Sequence, residues 1–339
     1  MDASTPLDGI ELILADLDGV IYRGLDPIPY AVESINAAVR RIRIGYITNN
    51  ASRTDSLVAK HLGDLGLSVN PEDVVTSPQA AVKLLADLVE PGDTVLVVGG
   101  EGLVSEVVKA GFVPTASALD MPAAVIQGFD PTVGWLQLAE ATYALQADAD
   151  GRGIPWVATN MDWTIPQARG TAPGNGTLVS AVHTAVGRLP VVAGKPEVAI
   201  FEAALERFGA IAATATLVIG DRLDTDILGA NRAGMRSALV LTGIDQAKQV
   251  LAADKDQRPE YILDDLRQLH EPYPRTVSAG TGGCTITTVG AAVVRREGHT
   301  LTVEDAGDAP INLLRAGAAA IWNSGVAIYA LDVPVELYS

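Results

Sequence analysis

Short apolar runs alternate with helix-spaced stretches along most of this chain. Such alternation predicts parallel strands joined by crossover helices. The run Ile10 to Ala15 reads as a strand buried on both faces. Ala31 to Arg41 has helical character, Ile42 to Thr48 reads as a strand, and Thr54 to Leu65 as a helix with Leu57, Val58, His61, Leu62 and Leu65 at helical spacing. Val74 to Ser77 is a short strand, and Pro78 opens a helix to about Val89, where proline is tolerated.

Pro91-Gly92-Asp93 turns the chain into a second series. Strands are expected over Thr94 to Val98, Ala123 to Gln127 and Trp156 to Thr159, and helices over Glu101 to Ala110, Gly134 to Gln146 and Thr177 to Val186. Pro166 to Gly176 reads as a Gly- and Pro-rich loop. After Pro190 to Pro196 comes a helix from Glu197 to Phe208, then a buried strand, Thr216 to Ile219, that runs into Gly220-Asp221. Acid-ended strands on both sides of the middle segment mark residues 80–192 as an α/β insertion into a sheet formed by 1–79 and 193–274. Residues 275–339 read as a ββαβ appendage: Ile286 to Val294 and Thr300 to Val303 as a hairpin around Glu297-Gly298, a helix over Ile311 to Trp322, and a strand over Val326 to Leu331.

At 339 residues the chain exceeds one ordinary core. With 48% hydrophobic and 19% charged residues it is globular. Its net charge of −17 argues against nucleic acid and anionic membrane as partners. It also means that an anionic substrate has to be held by local positive charge. A lone cysteine, Cys284, excludes an intrachain disulfide and suits a reducing compartment. Met1 to Gly9 lacks a basic signal-peptide start, and no apolar run reaches 18 residues, so a soluble cytoplasmic location is expected.

Chemistry gathers where strands end. Asp16 and Asp18 follow the first strand, and residues two apart in extended chain point the same way. Gly19 lets the backbone turn close to a ligand, and acids at the carboxyl end of a parallel strand sit where open α/β sheets bind ligands. Thr48, Lys195 and the pair Asp221 and Asp226 also fall at predicted strand ends. Taken singly, each has a plain alternative: a solvated turn, a hydroxyl after a strand, a surface lysine, an acidic helix start.

Together, in this order, these residues resemble the four motifs of the haloacid dehalogenase superfamily: Asp16-Leu17-Asp18-Gly19-Val20, Thr48, Lys195, and Gly220-Asp221 with Asp226. Ile47-Thr48-Asn49-Asn50, Ala158-Thr159-Asn160-Met161-Asp162, Pro173-Gly174-Asn175-Gly176, Gly194-Lys195-Pro196 and Gly220 to Ile227 are similar to the subfamily of phosphoglycolate, glycerol-3-phosphate, pyridoxal-phosphate and 4-nitrophenyl phosphatases. One departure is Ala51-Ser52, in place of a polar pair. The resemblance covers about residues 8–265. It implies a Rossmann-like parallel-sheet core with an inserted α/β cap, beside a small α+β C-terminal appendage on which the family is silent.

The resemblance also implies roles. Asp16 is the nucleophile that forms an aspartyl-phosphate, and Asp18 the general acid and then base. Thr48 and Lys195 bind and neutralise the phosphoryl oxygens. Mg²⁺ is held by Asp16, the backbone carbonyl of Asp18, and Asp221, with Asp226 orienting the outer shell. Gly19, Asn49, Asn160 and Asp162 are expected to bind substrate, with Trp163-Thr164-Ile165 as further candidates. Core packing is the alternative for Trp163.

The expected partner is a small phosphate monoester. Glycerol 3-phosphate ranks above 2-phosphoglycolate, because Asp162 would repel a second carboxylate, with pyridoxal phosphate and nucleotides lower. Alternatives are a phosphomutase or phosphotransferase on the same core and a non-enzymatic phospho-receiver, whose length and order of acids differ. The appendage suits packing or self-association, so a homo-oligomer stays open.

Overall fold

The structure, a computed structural model, describes residues 4–146, 153–167, 169–281 and 283–338. It divides into two compact units, Met1–Arg43 with Ala213–Ser339, and Ile44–Ala212.

In the first unit the strands Leu12–Ala15, Thr216–Gly220, Arg236–Val240 and Tyr261–Leu263 lie side by side in that order, all parallel. They are rich in Leu, Ile and Val, do not alternate with polar residues, and are buried almost throughout. That is the pattern of strands covered on both faces. Ala15 stands opposite Ile219, and Gly220 opposite Leu239. The residues after these strands, Asp16, Asp221 and the segment from Leu241, therefore emerge at one edge.

The C-terminal element differs from the ββαβ expectation. Four antiparallel strands, Thr276–Thr281, Cys284–Val289, Ala292–Glu297 and Thr300–Asp305, precede the helix Pro310–Trp322. Gly290, in the left-handed region at φ +58°, breaks the run read as one strand over Ile286 to Val294. Thr276–Thr281 was not foreseen: it is small and polar, and is a strand only through its pairing. Within Val326 to Leu331 there is a short 3₁₀ turn, Ile328–Ala330, and no strand.

The helix is buried along most of its length. It shares one apolar cluster with Val289, Val294 and Leu301 of the antiparallel sheet and with Leu223, Ile227, Leu239, Val250 and Ile262. Arg315 lies within it, donating to the Ile262 carbonyl (2.6 and 2.9 Å), Gln268 Oε1 (2.9 Å) and Asn312 Oδ1 (2.8 Å). Its guanidinium also stacks 4.3 Å from the Tyr273 ring centroid. A buried cation with this many partners ties the helix to the Tyr261–Leu263 strand.

In the second unit, Arg43–Thr48 runs parallel to Val74–Thr76, with Thr48 opposite Thr76. The helices Asp55–Asp64, Ser77–Ala86 and Val198–Arg207 belong with them. Thr54 caps the first by accepting from the Leu57 amide (3.3 Å). A separate five-stranded parallel sheet is ordered Val191–Val192, Trp156–Ala158, Ala124–Gln127, Thr94–Val98, Val113–Thr115. Trp135–Leu145 and Asn175–Val186 cover one of its faces through Ala141, Leu145, Val179 and Val182. The stretch read as the loop Pro166 to Gly176 holds most of a hairpin, Thr164–Gln167 against Gly170–Pro173; Ala168 lies outside the described residues. Its Pro and Gly content hides the pairing, and both strands pack against the helix Asn175–Val186.

Candidate active site

In the first unit, the backbone amide of Asp16 donates to the Ile219 carbonyl (2.8 Å), which carries the strand pairing one residue past its end. Asp16 is thereby held beside Gly220-Asp221. Asp226 reaches the same place through a wide turn, in which the Ile227 amide donates to the Arg222 carbonyl five residues back (3.2 Å). Such single wide turns recur at functional sites. Leu223 and Ile227 enter the apolar cluster below, so the turn is anchored by its oily side while Asp226 points the other way.

Carboxylate oxygens of Asp16, Asp221 and Asp226 lie within 4.8 Å of one another. Asp221 is 2% exposed and Asp226 fully buried. Two backbone amides help hold them: Ile244 N donates to Asp221 Oδ2 (2.7 Å), and Arg222 N to Asp226 Oδ2 (3.1 Å). Gly19 has φ +84°, and a Cβ there would fall 2.2 Å from Asp221 Oδ2. Only glycine fits on both counts. Asp18 is exposed, on the turn where Gly19 N donates to the Tyr22 carbonyl (2.9 Å).

Three acids gathered this closely, two of them buried, form a set of hard oxygen donors that fits an octahedral divalent cation such as Mg²⁺ better than a softer metal.

Sequence reasoning missed the segment after Arg236–Val240. Thr242 Oγ1 donates to the Gly19 carbonyl (2.7 Å), and the Asp245 carboxylate accepts from Leu223 N (2.7 Å). Burial pushes the Asp245 pKa up; the Leu223 amide and Arg222 oppose this, while Asp224 and Asp226 add to it. The missed signal was Leu241-Thr242-Gly243 itself, a strand-to-turn junction of the kind that marked Asp16 and Asp221.

The second unit holds the other expected residues. Thr48 is 5% exposed and Lys195 3%. Thr48 Oγ1 accepts from Asn50 N (3.1 Å), and a hydroxyl that accepts there keeps its own proton to donate. Asn49 Nδ2 contacts the Asp162 carboxylate (3.1 and 3.3 Å) and the Lys195 carbonyl (3.1 Å), and Asn49 Oδ1 accepts from Lys195 N (2.8 Å). Asn160 Nδ2 donates to the Asn49 carbonyl (2.7 Å), and Asn160 Oδ1 accepts from Asp162 N (3.2 Å). Asn175 of the Pro-Gly-Asn-Gly motif donates to the Asn160 carbonyl (2.8 Å). Trp163 is 59% exposed, which removes core packing as its role.

Comparison with known proteins follows the same lines. Residues 13–113 match a family described as haloacid dehalogenase-like hydrolase, and residues 192–269 a related haloacid dehalogenase hydrolase-like family. The chain is 44% identical to a D-glycerol 3-phosphate phosphatase of Mycobacterium tuberculosis over 94% of this chain and 87% of that one. It is 34% identical to an acid sugar phosphatase of Staphylococcus haemolyticus, over 75% of this chain and 92% of that one. Among solved structures it resembles a Mycobacterium tuberculosis glycerol phosphate phosphatase in complex with magnesium (TM-score 0.82, 41% identity, 97% and 94% coverage). It also resembles a p-nitrophenyl phosphatase from Archaeoglobus fulgidus (TM-score 0.70, 28% identity, 77% and 98% coverage).

Proposed function

The chain belongs to the haloacid dehalogenase-like hydrolases and is a phosphatase of that superfamily; we propose that it hydrolyses glycerol 3-phosphate with Mg²⁺. The observation that carries this reading is the cluster of Asp16, Asp221 and Asp226 at the strand ends. The 44% identity to a glycerol 3-phosphate phosphatase supports the choice of ester.

In the proposed mechanism Asp16 attacks phosphorus. The P–O bond to the alcohol breaks as Asp18 protonates the departing oxygen, leaving an aspartyl-phosphate. Asp18, now a carboxylate, takes a proton from water, and that water displaces Asp16 and releases phosphate. Lys195 and Thr48 bind the phosphoryl oxygens, and backbone amides beside Gly19 add donors. Asp16, the Asp18 carbonyl and Asp221 would hold Mg²⁺, with Asp226 orienting them. When bound, the ion neutralises charge on the phosphoryl group, as phosphoryl transfer needs positioning and charge stabilisation above all.

The division into core (1–79 and 193–274), cap (80–192) and appendage (275–339) belongs to this proposal. The two family matches, at 13–113 and 192–269, flank most of the proposed cap. Asp162, which follows the Trp156–Ala158 strand, would face the leaving group, with the buried Asn160 holding its backbone amide. A cytoplasmic location is part of the same reading. Among the described residues, no helix is long and apolar enough to cross a membrane.

The test is phosphate release with Mg²⁺ from glycerol 3-phosphate, 2-phosphoglycolate, a sugar phosphate, pyridoxal phosphate and a nucleotide. The highest kcat/KM is expected for glycerol 3-phosphate. Preference for 2-phosphoglycolate, unchanged in Asp162→Asn, would overturn the choice of ester and its electrostatic reason.

A further inference from the structure

We propose that Asn49 is a positioning residue that sets Lys195 and fastens it to the loop bearing Asp162. The inference rests on the phosphatase reading, in which Lys195 meets the phosphoryl group.

Asn49 was expected to touch substrate, and its hydrogen bonds point elsewhere. Its side-chain oxygen accepts the Lys195 amide proton (2.8 Å), while its nitrogen donates to the carbonyl of the same residue (3.1 Å). One primary amide thus clamps both backbone groups of Lys195. The second hydrogen on that nitrogen faces the Asp162 carboxylate (3.1 Å). The orientation of the amide is dictated by its neighbours: flipped, its NH₂ would meet the Lys195 N–H and its oxygen the Lys195 carbonyl and Asp162.

The backbone around the amide is fastened as well. The Asn49 carbonyl accepts from Ser77 Oγ and from Asn160 Nδ2, both at 2.7 Å. Asn160 in turn fixes the Asp162 amide. Position 194 is shaped for the clamp, because a Cβ on Gly194 would fall 2.6 Å from Asn49 Oδ1. Asn49 is 9% and Asn160 3% exposed, so water is a poor substitute for these partners.

Each of the hydrogen bonds that Asn49 makes to Ser77, Asn160, Asp162 and Lys195 joins segments distant in sequence. Asn49 follows the Arg43–Thr48 strand, Asp162 lies on the loop beyond Trp156–Ala158, and Lys195 follows Val191–Val192. A change at Asp162 is therefore felt at Lys195 through one side chain. Such a residue acts on the rate and on the grip on phosphate together.

The experiment measures kcat, KM for the preferred phosphate ester and the inhibition constant of orthophosphate, with the folded fraction monitored by circular dichroism at the assay temperature. The variants are Asn49→Ala, Asn49→Asp, Asp162→Asn and the double Asn49→Asp/Asp162→Asn. Asn49→Ala should lower kcat at least tenfold and weaken orthophosphate at least fivefold while staying folded. Asn49→Asp sets a carboxylate against Asp162 and against the Lys195 carbonyl, and should be worse. Adding Asp162→Asn to it should recover at least fivefold in kcat/KM, although Asp162→Asn alone lowers it. Read per folded molecule and matched by recovery of the orthophosphate constant, that recovery is something a merely structural asparagine would not produce, and it serves if Asn49→Ala fails to fold.

The proposal is overturned if folded Asn49→Ala keeps kcat and the orthophosphate constant within twofold of wild type. It is equally overturned if the Asn49→Asp and Asp162→Asn effects simply multiply. Absence of phosphate release from every ester by wild type would instead remove the phosphatase reading.

Discussion

Replacing one carboxylate oxygen by an amide separates the roles of the two leading acids. Asp16→Asn removes the proposed nucleophile and one carboxylate of the acidic cluster, so turnover and Mg²⁺ binding should both be lost. Asp18→Asn should lose turnover and keep Mg²⁺ affinity within a fewfold, because Asp18 is proposed to bind through its backbone; calorimetric Mg²⁺ titration separates the two outcomes. At Gly19, alanine meets both a left-handed backbone and the Asp221 carboxylate 2.2 Å away. The backbone alone costs at least about 1 kcal/mol, and Gly19→Ala should lower both stability and Mg²⁺ affinity. Asp245 carries a pH prediction. Its pKa is raised by burial, so the folded state favours the protonated form, and stability falls as pH rises from the unfolded value through the folded one. Asp245→Asn keeps an acceptor for Leu223 N and removes the charge. In chelator it should melt higher than wild type near pH ~7 and converge with it near the unfolded carboxylate pKa of about 4. Identical melting at both pH values would refute this.

Among the elements, the helix Pro310–Trp322 supports the site from beneath. It shares its apolar cluster with Leu223 and Ile227, which flank Asp226 in the wide turn. Arg315 is its polar anchor, and burial pushes the guanidinium pKa down, with Tyr273 and Asp264 opposing. Arg315→Met keeps the stem and leaves the Ile262 carbonyl without this donor. A buried group left without its partner costs roughly 1–3 kcal/mol. The urea midpoint should fall accordingly with the slope unchanged, while kcat at low temperature stays near wild type.

Across the whole molecule, metal dependence and chain integrity are the measurable properties. Excess chelator should abolish phosphate release and Mg²⁺ should restore it. Ca²⁺ should bind and inhibit, since its larger and more flexible shell disturbs in-line geometry. Saturating Mg²⁺ at about 100 times its dissociation constant should stabilise the fold by about 2.7 kcal/mol. Full activity in chelator would mean that the acidic cluster does another job. Deleting 275–339 would strip Leu239, Val250 and Ile262 of their cover, so the truncated chain should aggregate or melt far lower. A soluble deletion that melts like wild type would contradict the shared core.

Local pattern was enough to read the parallel strands and the positions of Asp16 and Asp221 at their ends. A buried parallel strand declares itself by an unbroken apolar run, and its end by the first acid or glycine. The motifs carried the family for the same reason: their residues lie close together along the chain. Tertiary structure alone decided the rest. Thr276–Thr281 has no apolar alternation and becomes a strand only by pairing with Cys284–Val289. Thr242 to Asp245 joins the site only because its strand is neighbour to Thr216–Gly220. Asn49 is a polar residue after a strand until Asp162 and Lys195, 113 and 146 residues away, meet its two amide atoms. Contacts between distant segments depend on strand order and register, which periodicity along one segment does not contain.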